Sequence, residues 1–214
     1  MAKIKQGILG GFSGKVAGVV GTSWKGRAVM KSRPLSVSNP KTDAQVEQRG
    51  KFSDIAELAS RILTTFIQPV ENPVSGDISG YNKFVKDNKT AFDGSHALVA
   101  ANFKCGGGKL LNLEDFAGGW DSGNSVFNLT WTNSAGTSAI RKTDKVYAAV
   151  FDTYGTLCGV SSGAATRNDE TVDVDPTAEN TITNSATPTI ILYAVVSADG
   201  RDVSVLTSAY DNQA

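Results

Sequence analysis

Val126-Phe127-Asn128-Leu129-Thr130-Trp131 decides the fold. Phe127, Leu129 and Trp131 alternate with Asn128 and Thr130, the period-two pattern of a strand buried on one face. Read outward from it, further runs of strand-forming residues fall at 145–152, 156–160, 171–174, 189–196 and 203–207. Turn-forming stretches separate them: Asn133-Ser134-Ala135-Gly136, Asp152-Thr153-Tyr154-Gly155 and Asp199-Gly200. Six or seven short strands in about 100 residues predict an immunoglobulin-like or fibronectin-type antiparallel β-sandwich over 110–214. The Cys-Trp-Cys signature of true immunoglobulin domains is absent, so the expectation concerns architecture alone.

Upstream the pattern differs. Residues 3–36 read as extended, with 16–24 and 27–33 as strands of a β-hairpin closed by Lys25-Gly26. Pro34 and Pro40 bracket a polar linker. A helix then begins, with Asn39 or Thr42 as cap and Thr42 and Gln45 at capping-box spacing. Phe52, Ile55, Ala56, Ala59, Ile62, Leu63 and Phe66 form its apolar stripe, Gly50 marks a bend, and Pro69 and Pro73 end it. A second helix is expected over 78–90, with Tyr81, Phe84 and Val85 on one face. After a strand at 98–103, Gly106-Gly107-Gly108-Lys109 reads as a flexible joint. The expected organisation is α+β, with a hairpin and two helices in 1–109 and the sandwich in 110–214.

Composition narrows the function. The 214 residues carry no net charge, yet residues 1–51 hold ten Lys or Arg against Asp43 and Glu47, a net +8. Residues 52–109 balance, and 110–214 carry thirteen acids against five bases, a net −8. Such asymmetry speaks to partners. Lys3, Lys5, Lys15, Lys25, Arg27, Lys31 and Arg33, with Trp24 as a stacking group, are the candidate contact residues for a partner or nucleic acid.

The chemistry-bearing motifs fail one by one. Around Gly10-Gly11-Phe12-Ser13-Gly14-Lys15, Leu9 and Val16 stand where a phosphate-binding loop needs Gly and Ser or Thr. His96 is the only histidine, lies in a turn-like stretch and has no G-x-S-x-G partner. Asp169, Glu170, Asp173 and Asp175 lack calcium-loop spacing, and Asp173 and Asp175 read as the wet face of a strand. Cys105 and Cys158 have neither disulfide-framework nor zinc spacing and read as small buried hydrophobes. No catalytic residue, cofactor or metal is expected. The apolar residues Ile8, Leu9 and Phe12 are broken by glycines and Lys15, so no signal sequence forms, and nothing approaches the length of a membrane span.

MAKIKQGILGGFSGKVAGVVGTSWKGRAVMKSRP (1–34) and NPKTDAQVEQRGKF (39–52) carry a further signal. They resemble an uncharacterised domain-of-unknown-function family of Bacteroidota, found in phages and prophage-like regions. The likeness extends loosely to Val203-Ser204 and Tyr210 near the C-terminus, and Ala17 stands where that family usually has Gly. The resemblance implies a virion protein made in the bacterial host cytoplasm, with copies of itself and other virion proteins as partners. A multi-copy subunit of the tail or head–tail connector is the expectation, with capsid decoration as the alternative. Two rivals are a nucleic-acid-binding protein acting through residues 1–51, and a carbohydrate-binding or adhesin module using Trp120 or Trp131.

Overall fold

The structure, a computed structural model, describes residues 3–4, 11–34, 36, 39–133, 141–161 and 163–212. It forms two compact units, Met1–Thr42 and Asp43–Ala214.

The first unit is an antiparallel sheet with strands in chain order: β1 (Lys3–Ile4), β2 (Phe12–Val16), β3 (Val19–Trp24) and β4 (Arg27–Ser32). The hairpin expected at Lys25-Gly26 is present. Both turn residues are left-handed, with φ of 48° and 79°, the conformation whose twist suits a two-residue hairpin. The β2–β3 turn also needs a left-handed residue, and Ala17 supplies it at φ 47°. A glycine would adopt this conformation without the strain that alanine carries. Gly21 leaves room for Phe12, because a Cβ there would lie 2.6 Å from the Phe12 ring.

The second unit begins with helix α1 (Asp43–Arg61), directly after Thr42. Its buried stripe runs through Ile55, Leu58 and Ala59 to Ile62, whereas Phe52 is 57% exposed and lies outside it. Pro69 does not end the helical path as expected. A π-helical turn (Leu63–Ile67) intervenes, in which the Ile62 carbonyl accepts both the Phe66 and Ile67 amides. Helix α2 (Gln68–Glu71) then places Pro69 in its first turn, where a missing N–H costs nothing. Helix α3 (Gly80–Asp87) starts at Ser79, whose hydroxyl accepts the Asn82 amide, and buries Phe84 and Val85.

The expected strand at 98–103 is instead a 3-10 turn (Ala100–Asn102), followed by β5 (Lys104–Cys105). Eight strands follow, the first seven being β6 (Glu114–Asp121), β7 (Val126–Thr132), β8 (Lys145–Phe151), β9 (Leu157–Val160), β10 (Thr171–Val174), β11 (Ile190–Val196) and β12 (Thr207–Ser208). The last is β13 (Tyr210–Asp211). They make one sheet of order β10-β7-β6, a second of order β13-β11-β8-β9, and a β12-β5 ribbon. Residues 203–207 form no continuous strand; Val203 and Ser204 make single bridges to Val196 and Leu110.

The two larger sheets pack face to face. Phe127, Leu129, Trp131 and Val174 meet Val146, Ala148, Val150, Ile191 and Val195. The opposite face of the second sheet, through Ala149, Phe151, Ile190, Leu192 and Ala194, is covered by Ile55, Ile62, Phe66 and Phe84 from the helices. Strands β8 and β11 are therefore buried on both sides, which is why Ala148-Ala149-Val150-Phe151 and Ile190-Ile191-Leu192 are unbroken apolar runs. Each fully buried Phe, Leu or Ile contributes about 1.5–3 kcal/mol. The helices share this core with strands beyond residue 109, so the compact units divide after Thr42 and not after the expected residue 109.

The glycine run is no loose joint. The Gly106 amide donates to Glu71 Oε1 at 3.0 Å, and the Gly107 and Gly108 amides both donate to the Ser204 carbonyl at 3.0 Å. A Cβ on Gly108 would sit 2.2 Å from the Val203 oxygen, so glycine here permits close approach of two backbones. Beneath it Lys83 Nζ donates to Glu71 at 2.7 Å, Asp87 at 2.9 Å and the Gly106 carbonyl at 2.8 Å. Burial pushes the Glu71 carboxyl above its ordinary range. Burial works against the Lys83 charge, yet the bonds to Glu71 and Asp87 raise its pKa.

Candidate interaction surface

The register of the N-terminal sheet sorts its residues onto two faces. Lys15 pairs with Val20 and Val20 with Lys31; Thr22 pairs with Val29 and Trp24 with Arg27. Because side chains alternate, Lys15, Arg27, Lys31 and Trp24 share one face. The other face holds Val16, Val19, Ala28 and Met30 and carries no charge. Sequence reading identified the basic residues, but pairing was needed to see that they share a face with Val20 and Val29 and lie opposite Val16, Val19 and Met30.

Among the described residues of this unit, Gly11 and Phe12 lie over Ala28 and Gly21 on the uncharged face, and the remainder of that face is open. Val16 is 52% exposed and Met30 70%, and Gly21 is the only buried residue among those described in the unit. All six residues of β4 are exposed, and β4 is the terminal strand of the sheet. The basic face is equally open. Trp24 is 63% exposed, and the Lys25 ammonium lies 5.1 Å from the centre of its ring. Among the described residues, none of Lys15, Lys25, Arg27, Lys31 and Arg33 forms an ion pair with a carboxylate. Arg33 follows β4, with its amide donating to the Gly18 carbonyl at 2.7 Å. The backbone of Lys3 pairs with Ser13, and Lys5 lies outside the described residues.

Two recesses in the second unit are lined by described residues. One, of about 240 Å³, is lined by Asp54, Glu57, Arg61, His96 and Tyr154. His96 Nδ1 lies 2.5 Å from Asp54 Oδ2, and Arg61 is bound by Glu57 and Glu179. Gly50 makes room for the imidazole, since a Cβ would lie 2.7 Å from its Cε1. Its role is this contact, and the expected bend is not needed to explain it. Asp54 can orient the ring, but among the described residues no hydroxyl or thiol hydrogen-bonds to His96, as triad chemistry requires.

The other recess, about 620 Å³ and more open, runs beside β6 and includes Trp120, Tyr210 and Asn212. Trp131, by contrast, is 4% exposed, and its indole donates to the Arg167 carbonyl at 3.0 Å, so it serves the core. Asp173 and Asp175 are exposed as expected of a strand's wet face. Cys105 and Cys158 are free and buried, and burial raises both thiols, Cys105 strongly. Among the described residues, no helix is long and apolar enough to cross a membrane.

An antiparallel, mixed helix-and-sheet chain with an amphipathic N-terminal sheet is the class that these features define. The chain belongs to a family of unknown function, DUF6266, whose model matches residues 11–210. No curated protein and no solved structure matches it.

Proposed function

We propose that the chain is a multi-copy structural subunit of a phage particle, in its tail or head–tail connector, joined to its neighbours through the N-terminal sheet. The observation that carries the assembly reading is the open apolar part of that sheet, with Val16, Val19 and Met30 exposed and no buried side chain among the unit's described residues. A small sheet of this kind is stabilised when its apolar face is covered. The +8 and −8 ends of the sequence favour contact between copies. The virion setting is supported by the resemblance of residues 1–34 and 39–52 alone. We read β6 to β11 and β13 as the seven strands of a fibronectin-type module: the first, second and fifth form one sheet, and the others form the second in the order seventh, sixth, third, fourth. Such a module would supply a rigid body for a wall or outward face.

Deleting residues 1–36 tests the reading. The second compact unit, which holds both cores, is expected to stay folded while incorporation into particles is lost. Unchanged incorporation refutes the N-terminal sheet as the dock.

One observation favours a second reading, contact with DNA: Lys15, Arg27, Lys31 and Trp24 share an open face. Three phosphate contacts predict a fall of log K against log salt with slope about −3. Absence of binding at low salt removes this reading and leaves assembly untouched.

A further inference from the structure

β6 is the terminal strand of its sheet, and among the described residues no other strand pairs with its outer edge. Natural edges are guarded by charge, proline or bulges. Here the guards stand only at the ends: Glu114 and Asp115 with a bulge before Ala117, and Asp121 at the far end. Between them Phe116-Ala117-Gly118-Gly119-Trp120 is uncharged and free of proline. The 620 Å³ recess lies along this stretch. Trp120 borders it, and the Trp120 indole N–H is buried with no acceptor among the described residues, a condition that costs about 1–3 kcal/mol. An added strand brings carbonyl oxygens to such a place.

The first unit presents a matching edge in β4, Arg27-Ala28-Val29-Met30-Lys31-Ser32, which is terminal and wholly exposed. We propose, resting on the assembly reading above, that β4 of one copy adds antiparallel to β6 of a second copy. One register satisfies charge, size and face together. With Arg27 opposite Asp121, Val29 falls opposite Gly119 and Met30 opposite Gly118, so the larger side chains meet residues that have none. Arg33 then reaches the Glu114 and Asp115 end, so cations meet acids at both limits of the pairing. Alternation also agrees. Arg27, Val29 and Lys31 extend the outward face carrying Asp121, Gly119 and Ala117. Ala28 and Met30 extend the inward face, where Gly118 lies against Leu129 and Ile191 and Trp120 packs edge-on to Phe127. The uncharged face of the N-terminal sheet thereby continues the apolar interior of the neighbour's sandwich.

The full chain carrying Val29→Cys and Gly119→Cys tests the pairing. Gly119 has ordinary backbone angles, and a Cβ there meets only Asn212 Nδ2 at 3.5 Å. The two native thiols are buried and do not compete. Light and heavy isotope-labelled copies are mixed, oxidised by air with copper phenanthroline, and digested for mass spectrometry. The expected result is 29–119 disulfides joining light to heavy chains. Oligomers in native mass spectra without that link overturn the pairing while leaving the assembly reading standing. Links confined to single chains also overturn it, and absence of any oligomer overturns both. As a second variant, Gly119→Lys places a guard on the edge. It is expected to weaken association by about tenfold or more with an unchanged melting curve; undiminished association overturns the pairing.

Discussion

Replacing Lys83 with Met removes the ammonium group 2.7 Å from the Glu71 carboxylate, whose side chain is 1% exposed. After the change the carboxylate keeps the Gly106 amide at 3.0 Å. Stranding one member of a buried pair costs about 3–5 kcal/mol. The remaining amide bond, and the 15% exposure of Lys83 itself, put the expected loss near the lower limit, about 3 kcal/mol. Urea unfolding followed by tryptophan fluorescence and circular dichroism reads this loss, equivalent to a fall in Tm of about 10 °C. The loss also depends on pH. Glu71 holds its proton to higher pH when folded than its ordinary 4.5, so its ionisation erodes stability as pH rises from 4.5 through the raised value. Removing Lys83 deepens that erosion, so the variant approaches the parent at about pH 4 and departs from it at neutral pH. The double variant Glu71→Gln with Lys83→Met is expected to recover most of the loss, because an amide carbonyl still accepts from Gly106. A loss below about 1 kcal/mol at neutral pH, or one equal at both pH values, refutes the reasoning.

Three further outcomes are expected. Gly108→Ala drives a methyl group into the Val203 carbonyl and costs about 2 kcal/mol or more in the same unfolding assay, where a flexible joint would tolerate it. Ala17→Gly relieves a left-handed alanine and slows amide exchange in the β2–β3 hairpin, by about 0.5 kcal/mol; faster exchange contradicts the strain assigned there. Neither Cys105 nor Cys158 reacts with an aromatic disulfide reagent near pH 8 until the protein is unfolded, and labelling of one thiol per native chain contradicts their burial.

What was legible in the sequence depended on whether a pattern was local. Strand β7 is evident because Phe127, Leu129 and Trp131 alternate over a single buried face, and β10 coincides with its expected limits of 171–174. The Lys25-Gly26 turn and the Phe84–Val85 helix are equally local. Strand β6 was missed because Gly118 and Gly119 lower strand propensity and carry no side chains to alternate. Their reason is non-local, since Gly118 yields space to Leu129 and Ile191. Gly106, Gly107 and Gly108 misled for the same reason: their partners, Glu71 and Ser204, lie 35 or more residues away in sequence. The helical layer on the second sheet was written in the unbroken apolar run of β11, which asks for burial on both faces, but that run alone does not name helices as the cover. For the candidate surface, the cations were visible as a count. Their segregation opposite Val16, Val19 and Met30 required the register of three strands.

The most direct test of assembly through the N-terminal sheet is sedimentation velocity of the full chain over a concentration series, beside Met30→Lys. That substitution places a charge on the open part of the apolar face at a residue already 70% exposed, so folding is expected to be unaffected. The account predicts that the parent sediments as oligomers whose mass grows with concentration, and that Met30→Lys sediments as a single chain. A parent that stays at single-chain mass at every concentration, or a variant that assembles as well as the parent, contradicts it.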